Sequence, residues 1–516
     1  MQKYKLQLLL SGILLLALGL RLWGINFGLP NLYHPDEDAV VMPALTMIKT
    51  GNLEPTRMEY GTFHIYLLAA VSALTFVQSA RNGFIEFPAD LSIYERGAFP
   101  AVANHPEYFV AARLVSVMFG MGIVLALYML AARLGNRRQG LMAAALAAVL
   151  PALVTHSHFA TTDTALTFWS LLGLYLLVRV FDRWEQDSLW PYAGAGLVCG
   201  LAASTKYNGV ALAVPLLALP FLKAKKLDDL VNMRTLAGPI AMGAGFLMGT
   251  PYVVLNLPKF LYWFGYSLRL YNSPAQNIVG TSWQWHLNYH ISSPNAFIFF
   301  AGLVGFLLSW RHWGWSRALL VNSFVMVLWL AIVSQTRREA RMWLPSAPIF
   351  VAWAALLLDW LLARLDHFSW TLWVKRVSGS VLFLLIFLPL LFQSTAVNQR
   401  LNGDDVRSQT QRWIESNLSS GTGIAMEYFS PNVDTAVWPV LKVQHLHHNP
   451  PEWYREQGVQ YLVLSEAGNN STKMSAEDVA ARESFTAANC LVESFSGSFL
   501  SAETIHMWVY HLPPCN

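Results

Sequence analysis

LQLLLSGILLLALGLRLWGINFGLPNLYHPDEDAVV, residues 6–41, decides the fold. Its first part, 6–23, is an apolar body preceded by Lys3 and Lys5. About 20 such residues in a helix cover the hydrocarbon core of a bilayer. The basic start and apolar body imitate a signal peptide, but no small-x-small cleavage site follows, so the segment reads as a retained first span. The chain then leaves the apolar run and places three acids in succession, Asp36, Glu37 and Asp38. Dense negative charge directly after a span is the pattern that the remaining sequence has to explain.

The rest of the chain repeats the apolar theme. Of 516 residues, 54% are hydrophobic and only 13% charged, against about 25% charged in soluble proteins. Mean hydropathy is +0.38. Further apolar runs lie at 108–132, 140–155, 164–181, 190–204, 207–222, 235–255, 296–310, 317–334, 343–363 and 378–397. The expected class is therefore a polytopic α-helical membrane protein of about eleven spans. The segment 63–79 is a further candidate. Arg133, Arg137 and Arg138, Lys223, Lys225, Lys226 and Arg234, Arg311 and Arg317, and Arg364, Lys375 and Arg376 all fall on the N-terminal side of the membrane only if 63–79 does not cross. It is then placed at the interface, in a long outer loop over 24–107 that carries nine acidic and four basic residues.

This count puts the N-terminus in the cytoplasm of an inner membrane. It divides the chain into a transmembrane part, 1–397, and an extracytoplasmic part, 398–516. In the latter, DVRSQTQRWIESNL and PEWYREQG read as helices, and GIAMEYF, VQYLVLS and TIHMWVYHL as strands, which predicts a small α/β domain. Cys199 falls in an apolar run, whereas Cys490 and Cys515 fall in the polar tail and are disulfide candidates in an oxidising compartment. Sequons at Asn417, Asn469 and Asn470 decide nothing. No basic stripe interleaved with aromatics points to nucleic acid.

Four constellations could carry chemistry. In His34-Pro35-Asp36-Glu37 the plain reading is a helix start, with proline in the first turn and acids at the positive end of the dipole; ALTMIKTG continues that helix to Gly51. The functional reading is a catalytic carboxylate at the membrane surface. Adjacent helical residues face different ways, so one acid would face the site and the other brace the loop. In THSHFATTDTALTFW, residues 155–169, Asp163 is either an N-terminal cap or a second site acid, with His156 and His158 beside it. In SQTRREARMWLPSAPIF, residues 334–350, Arg337, Arg338 and Arg341 precede a span start where cations are disfavoured. A helical turn would cluster two of them, as a phosphate site or as lipid-headgroup contacts. Lys206 is a further outer cation with the same two readings. In WQWHLNYH, His286 and His290 are four apart, which suits an interfacial aromatic belt or, together with His64 or an acid, a divalent metal. The tail histidines His445, His447 and His448 form a weaker metal pattern. No cofactor is required by the sequence.

Taken together, YHPDE with ALTMIKTG, SHFATTDTALTFW, GLAASTKYNGV, GTPYVVL and RREARMWLPSAPIF resemble the GT-C superfamily of polyprenyl-phosphate-sugar glycosyltransferases, in the branch of bacterial relatives of protein O-mannosyltransferases and of the lipid A aminoarabinose transferase. The resemblance covers about residues 1–400 and part of the tail. It implies a polyprenyl-phosphate sugar donor, a glycan, lipid or protein hydroxyl acceptor, and inversion at C1. It also implies Asp36 as base with Glu37 as its structural neighbour, Asp163 assisting in the acceptor or sugar pocket, and Arg337, Arg338, Arg341 or Lys206 on the departing phosphate. His34, His156, His158, Tyr60 and His64 are the expected lining of the acceptor or sugar pocket. Two departures stand out: Tyr60-Gly61-Thr62-Phe63 replaces the Lys-Pro-Pro element of aminoarabinose transferases, and no β-trefoil insertion is found. The competing readings are a multispan transporter, a polysaccharide polymerase or ligase, and an inactive scaffold whose tail binds a partner. A transporter would line a route through the bilayer with its charges, whereas here they gather at one face.

Overall fold

The computed structural model describes residues 2–92, 103–185, 188–273, 280–292, 296–468, 476–499 and 505–515. The sequons at Asn469 and Asn470 lie outside these residues. The helices are α1 (Gln2–Leu22), α2 (Glu37–Thr50), α3 (Phe63–Arg81), α4 (Pro106–Leu134), α5 (Arg137–Ala148), α6 (Pro151–His156), α7 (Thr162–Asp182), α8 (Trp190–Thr205), α9 (Ala213–Lys223) and α10 (Met233–Gly249). They continue as α11 (Tyr252–Leu255), α12 (Leu257–Asn272), α13 (Ser282–Ser292), α14 (Ala296–His312), α15 (Trp315–Ser334), α16 (Ala347–Leu365) and α17 (Leu372–Asn402). Every apolar run of the sequence falls on one of them or on a broken pair. Among the described residues seven helices are long and apolar enough to cross a membrane, or eight if the bent pair α13–α14 is one span.

Two of these helices, α8 and α10, carry small residues for a reason visible in their packing. Glycines at 196, 200, 238 and 245 let the backbones of α8 and α10 touch: a Cβ on Gly196 would strike the carbonyl of Gly238, and one on Gly245 that of Leu197. This is the small-residue packing expected where lipid gives no hydrophobic drive between helices. At one end of the bundle the loop charges find acids inside it. Arg133 at the end of α4 and Arg317 at the start of α15 both reach Asp182 at the end of α7, at 2.8 and 2.7 Å. Arg138 reaches Asp359 of α16 at 2.6 Å.

α3 has the length and composition of a span, yet its two flanks stay together. Ile65, Leu68 and Ala69 from its first half, and Ile85 and Leu91 from beyond its C-terminus, belong to one buried cluster with Tyr108, Phe109 and Ala112 in the opening turns of α4. The N-terminus of α3 is tied to the end of α10 through Thr62 Oγ1, which donates to the Gly249 carbonyl at 2.7 Å.

The C-terminal region folds into a five-stranded sheet of β1 (Gly423–Glu427), β2 (Val440–Val443), β3 (Val459–Ser465), β4 (Cys490–Gly497) and β5 (Ile505–His511), in the order β2-β1-β3-β5-β4. β1 runs parallel to β2 and β3, and β5 antiparallel to β3 and β4. Helices α18 (Val406–Asn417), α19 (Pro451–Glu456) and α20 (Ala476–Ala487) accompany it. The sheet has two strands that alternation did not reveal. β2 is only four residues, and β4 is largely exposed. Cys490 and Cys515 form a disulfide across a separation of 25 residues, and Cys199 is buried and free. α18 seats this domain on the first loop: Arg407 donates to the Tyr33 carbonyl at 3.3 Å and stacks on its ring, and Tyr33 Oη bonds Ser408 Oγ at 2.7 Å.

Two outcomes are expected. Cysteines placed at Gly51 and Asn82, before and after α3, react with an impermeant maleimide from the same side of the membrane; labelling from opposite sides means that α3 crosses. Cys490→Ser lowers the thermal stability of the C-terminal domain, by about 3.5 kcal/mol for a closed loop of this size on the chain-entropy account, measured as a shift in its unfolding transition; an unchanged transition contradicts this.

Candidate active site

The acidic loop starts α2, and its residues do not do what a helix start alone would ask of them. Asp36 occupies the N-cap position but makes no side-chain capping hydrogen bond. Its carboxylate is ion-paired with Arg341. α2 then runs to Gly51, whose left-handed conformation at φ 69° ends it with a backbone bond to Met47, as the sequence suggested.

Glu37 is fully buried and takes both branches of Arg113, Nε to Oε1 and Nη2 to Oε2, each at 2.8 Å. It also accepts the Ala160 N–H at 2.9 Å. Arg113 donates its remaining Nη1 to the carbonyls of Ile25 and Phe27 and lies over the Phe27 ring. Four of the five guanidinium N–H groups and both carboxylate oxygens are thus engaged, and such hydrogen bonding is what makes a buried pair tolerable. Glu37 is the bracing acid and Asp36 the one that faces the cations.

Asp163 is likewise not a cap. Thr161 holds the N-cap position of α7 without a side-chain bond, and Asp163 in the first turn pairs with Lys206 Nζ at 2.7 Å, both side chains being buried. Lys206 stands at the C-terminal end of α8 and 5.3 Å from the Tyr60 ring centroid. Its ammonium is paired with Asp163, a partner that the local sequence pattern did not name. The Tyr60-Gly61-Thr62 turn comes this close because Gly61 has no Cβ; one would collide with the Ser204 carbonyl.

The arginines differ from the expected helical turn. Arg337 and Arg338 lie in an irregular stretch, and only Arg341 sits in the short 3-10 turn Ala340–Trp343. What gathers them is Glu339, which pairs with Arg337 on one side and with Arg341 Nε at 2.5 Å on the other. Arg338 donates to the Gly280 carbonyl at 2.6 Å. Burial pushes Arg341 down to about 10, so it stays charged at neutral pH.

The histidines separate. His34 packs its ring on Phe159 at 4.2 Å and accepts the Asp36 N–H through Nδ1 at 3.3 Å. Burial, then the charge of Arg341 and the neighbouring His156, hold it well below the ordinary imidazole range. His156 lines an apolar cavity beside the arginine segment with His290, Phe299, Trp343, Ser346 and Phe350. His158 is not pocket-facing: its ring nitrogens contact the carbonyls of Val154 and Trp23 at 2.9 and 3.0 Å. These two carbonyls hold the ring between α6 and the end of α1. His64 is buried beside Phe119, with neither nitrogen hydrogen-bonded, and feels the charge of Asp163. His286 accepts Trp343 Nε1–H at 2.9 Å, and His290 stacks on Phe299 at 4.7 Å. Among the described residues neither belongs to a group of three or more ligand side chains, so the pair reads as an aromatic cluster. Sequence reasoning passed over Arg113, although a charge within a drawn span is itself a signal, and Glu339, the one acid in an arginine-rich loop.

The family model for dolichyl-phosphate-mannose-protein mannosyltransferases matches residues 66–264. The matched segment covers about two fifths of the chain. No curated protein sequence matches. Among solved structures, the oligosaccharyltransferase of Archaeoglobus fulgidus in the apo form is similar with a TM-score of 0.56 at 13% identity, over 100% of this chain and 75% of that one. ArnT from Cupriavidus metallidurans bound to undecaprenyl phosphate is similar with a TM-score of 0.52 at 14% identity, over 98% of each chain. The chain thus shares the fold of these two proteins over nearly its whole length. The matched range runs from α3 into α12 and includes Arg113, Asp163 and Lys206, while Asp36 and Arg341 lie outside it.

Glu37→Gln is expected to destabilise the membrane domain by about 3–5 kcal/mol, because it leaves Arg113 buried without its charge partner, whereas the paired replacement Glu37→Leu with Arg113→Met costs less. Thermal unfolding in detergent checks this, and equal losses contradict it. His34 has a depressed pKa, so its contribution to stability is full above the ordinary value near 6.5 and is lost as pH falls below it; His34→Gln should flatten that acid limb of the melting profile.

Proposed function

We propose that this glycosyltransferase moves a sugar from a polyprenyl-phosphate carrier to a hydroxyl acceptor on the extracytoplasmic side, with inversion at C1 and Asp36 as general base. The observation that carries the reading is that Asp36 forgoes its capping bond and faces Arg341. A carboxylate and a guanidinium at one helix start supply the two functions that the reaction needs.

The steps follow from the groups. The acceptor hydroxyl oxygen attacks C1 as its proton passes to Asp36. The bond between C1 and the phosphate oxygen breaks, and the leaving polyprenyl phosphate carries both electrons away. Its added negative charge develops beside Arg341, with Arg337 held close by Glu339. Preorganised cations at the point where charge develops are the usual main source of such catalysis. Because phosphate is a competent leaving group, one carboxylate suffices, unlike the two of glycosidases. Asp163 and Lys206, with Tyr60 and His64 near them, form the neighbouring polar wall for sugar or acceptor. The apolar cavity beside Trp343 and Phe350 suits the first isoprene units of the carrier. The charged groups lie at helix ends, namely the start of α2, the first turn of α7, the end of α8 and the turn before α16, which favours chemistry at one face over a transport route.

The test is sugar loss from a panel of radiolabelled polyprenyl-phosphate sugars by the purified chain with added membrane extract. Asp36→Asn should lower turnover of the accepted donor by at least about 100-fold, the order of a general-base contribution. Unchanged turnover removes Asp36 from the role, and movement of intact donor across a vesicle without sugar loss favours the transporter.

A further inference from the structure

The C-terminal sheet carries a second cluster of chemistry-bearing side chains that the transfer reaction does not use. β1 and β3 run parallel, and Glu427 stands at the carboxyl end of β1. The carboxyl ends of parallel strands are where open α/β sheets present their ligand sites. Glu427 is fully buried, and its two oxygens accept the N–H groups of Leu446 and Ser465 at 3.0 and 3.1 Å. The chain leaving β2 brings His445, His447 and His448 over this end, their rings 4.7–5.3 Å apart. Asp478, in the first turn of α20, completes the group.

His447 is the centre. Its side chain is 1% exposed, yet neither ring nitrogen has a hydrogen-bond partner. A buried imidazole normally satisfies at least one nitrogen. Two triads share it: with His448 and Asp478, and with Glu427 and His445, the ligand atoms of each triad lying within 4.8 Å of one another. Nε2 of His447 and Nε2 of His448 stand 3.9 and 3.8 Å from the same Asp478 oxygen. Ligand atoms around a tetrahedral Zn²⁺ at bond lengths near 2.05 Å are about 3.4 Å apart, so each imidazole–carboxylate distance has about half an ångström to close.

We propose that His447, His448 and Asp478 bind one Zn²⁺ ion in the extracytoplasmic domain, with Glu427 and His445 packed behind His447 to fix its ring. Two imidazoles and a carboxylate are ligands that suit zinc, and a carboxylate behind a ligating histidine is the usual outer support. The ion would join the loop after β2 to the start of α20, two segments far apart in sequence, and so clip the domain without touching the transfer site.

The test uses the purified full chain, with any affinity tag removed, stripped with chelator and titrated with Zn²⁺ by calorimetry. Wild type should bind one ion per chain and gain thermal stability in the C-terminal domain. His448→Ala and Asp478→Asn, both at partly exposed positions that the domain core does not need, should each weaken binding on the order of tenfold or more, and His447→Gln should abolish it. A double variant His286→Ala with His290→Ala should bind as wild type does. Absence of binding in the wild type, binding unchanged by His448→Ala and Asp478→Asn, or binding lost only in the His286 and His290 variant would each overturn the proposal.

Discussion

The buried pair between Glu37 and Arg113 is the constraint on which the rest of the site depends. It is made by a helix that starts at the acidic loop and by the second turn of α4. Through Ile25, Phe27 and Ala160 it also holds the end of the first span's connection and the turn that leads into α7. Three segments far apart in sequence therefore meet on one pair of side chains. Taking two charges out of water is expensive, and mutual attraction offsets it only with complete hydrogen bonding. Here the bidentate pair and its three backbone partners fix the geometry. Asp36 is next in the chain to Glu37, so clamping Glu37 inward turns Asp36 toward the opposite side, where Arg341 stands.

A second consequence concerns the cations. Arg337 and Arg341 precede a helix N-terminus, where like charge is disfavoured. Glu339 between them and Asp36 opposite supply the offset. In the proposed reaction a donor phosphate and Asp36 would compete for the same guanidinium. Were phosphate to take Arg341, the carboxylate would lose its ion-pair partner and become a better proton acceptor. The two proposed roles, clamp and base, would then be coupled through one arginine. The C-terminal domain enters this arrangement through Arg407 and Ser408 on Tyr33, three residues ahead of Asp36, so it braces the loop from outside.

Much of this was legible in the chain itself. Apolar runs of span length announced the helices, and the glycine at position 51 announced where α2 ends. The acids at 36, 37 and 163 stood out because they follow or precede lipid-facing segments. Their division of labour was only half visible: alternation on a helix says that Asp36 and Glu37 diverge, but not which one meets an arginine. That depended on Arg113, hidden in a run whose hydropathy overwhelms one charge. The pairing of Lys206 with Asp163 was hidden because local pattern cannot show a partner 43 residues away. The strands β2 and β4 were lost for simpler reasons, one too short and one too polar for period-2 reading. The arginine loop lacked the expected helix because Glu339, not backbone hydrogen bonding, gathers its cations.

The coupling of Asp36 to Arg341 is the central claim, and the affinity of the purified chain for undecaprenyl phosphate tests it most directly. Arg341→Gln removes a charge-assisted contact to phosphate, which is worth about 1.5–3 kcal/mol or roughly tenfold or more in affinity. Asp36→Asn removes the competitor for that arginine. The account predicts weaker binding in Arg341→Gln and equal or tighter binding in Asp36→Asn. Binding that is unchanged in Arg341→Gln, or weakened as much by Asp36→Asn as by Arg341→Gln, would contradict it.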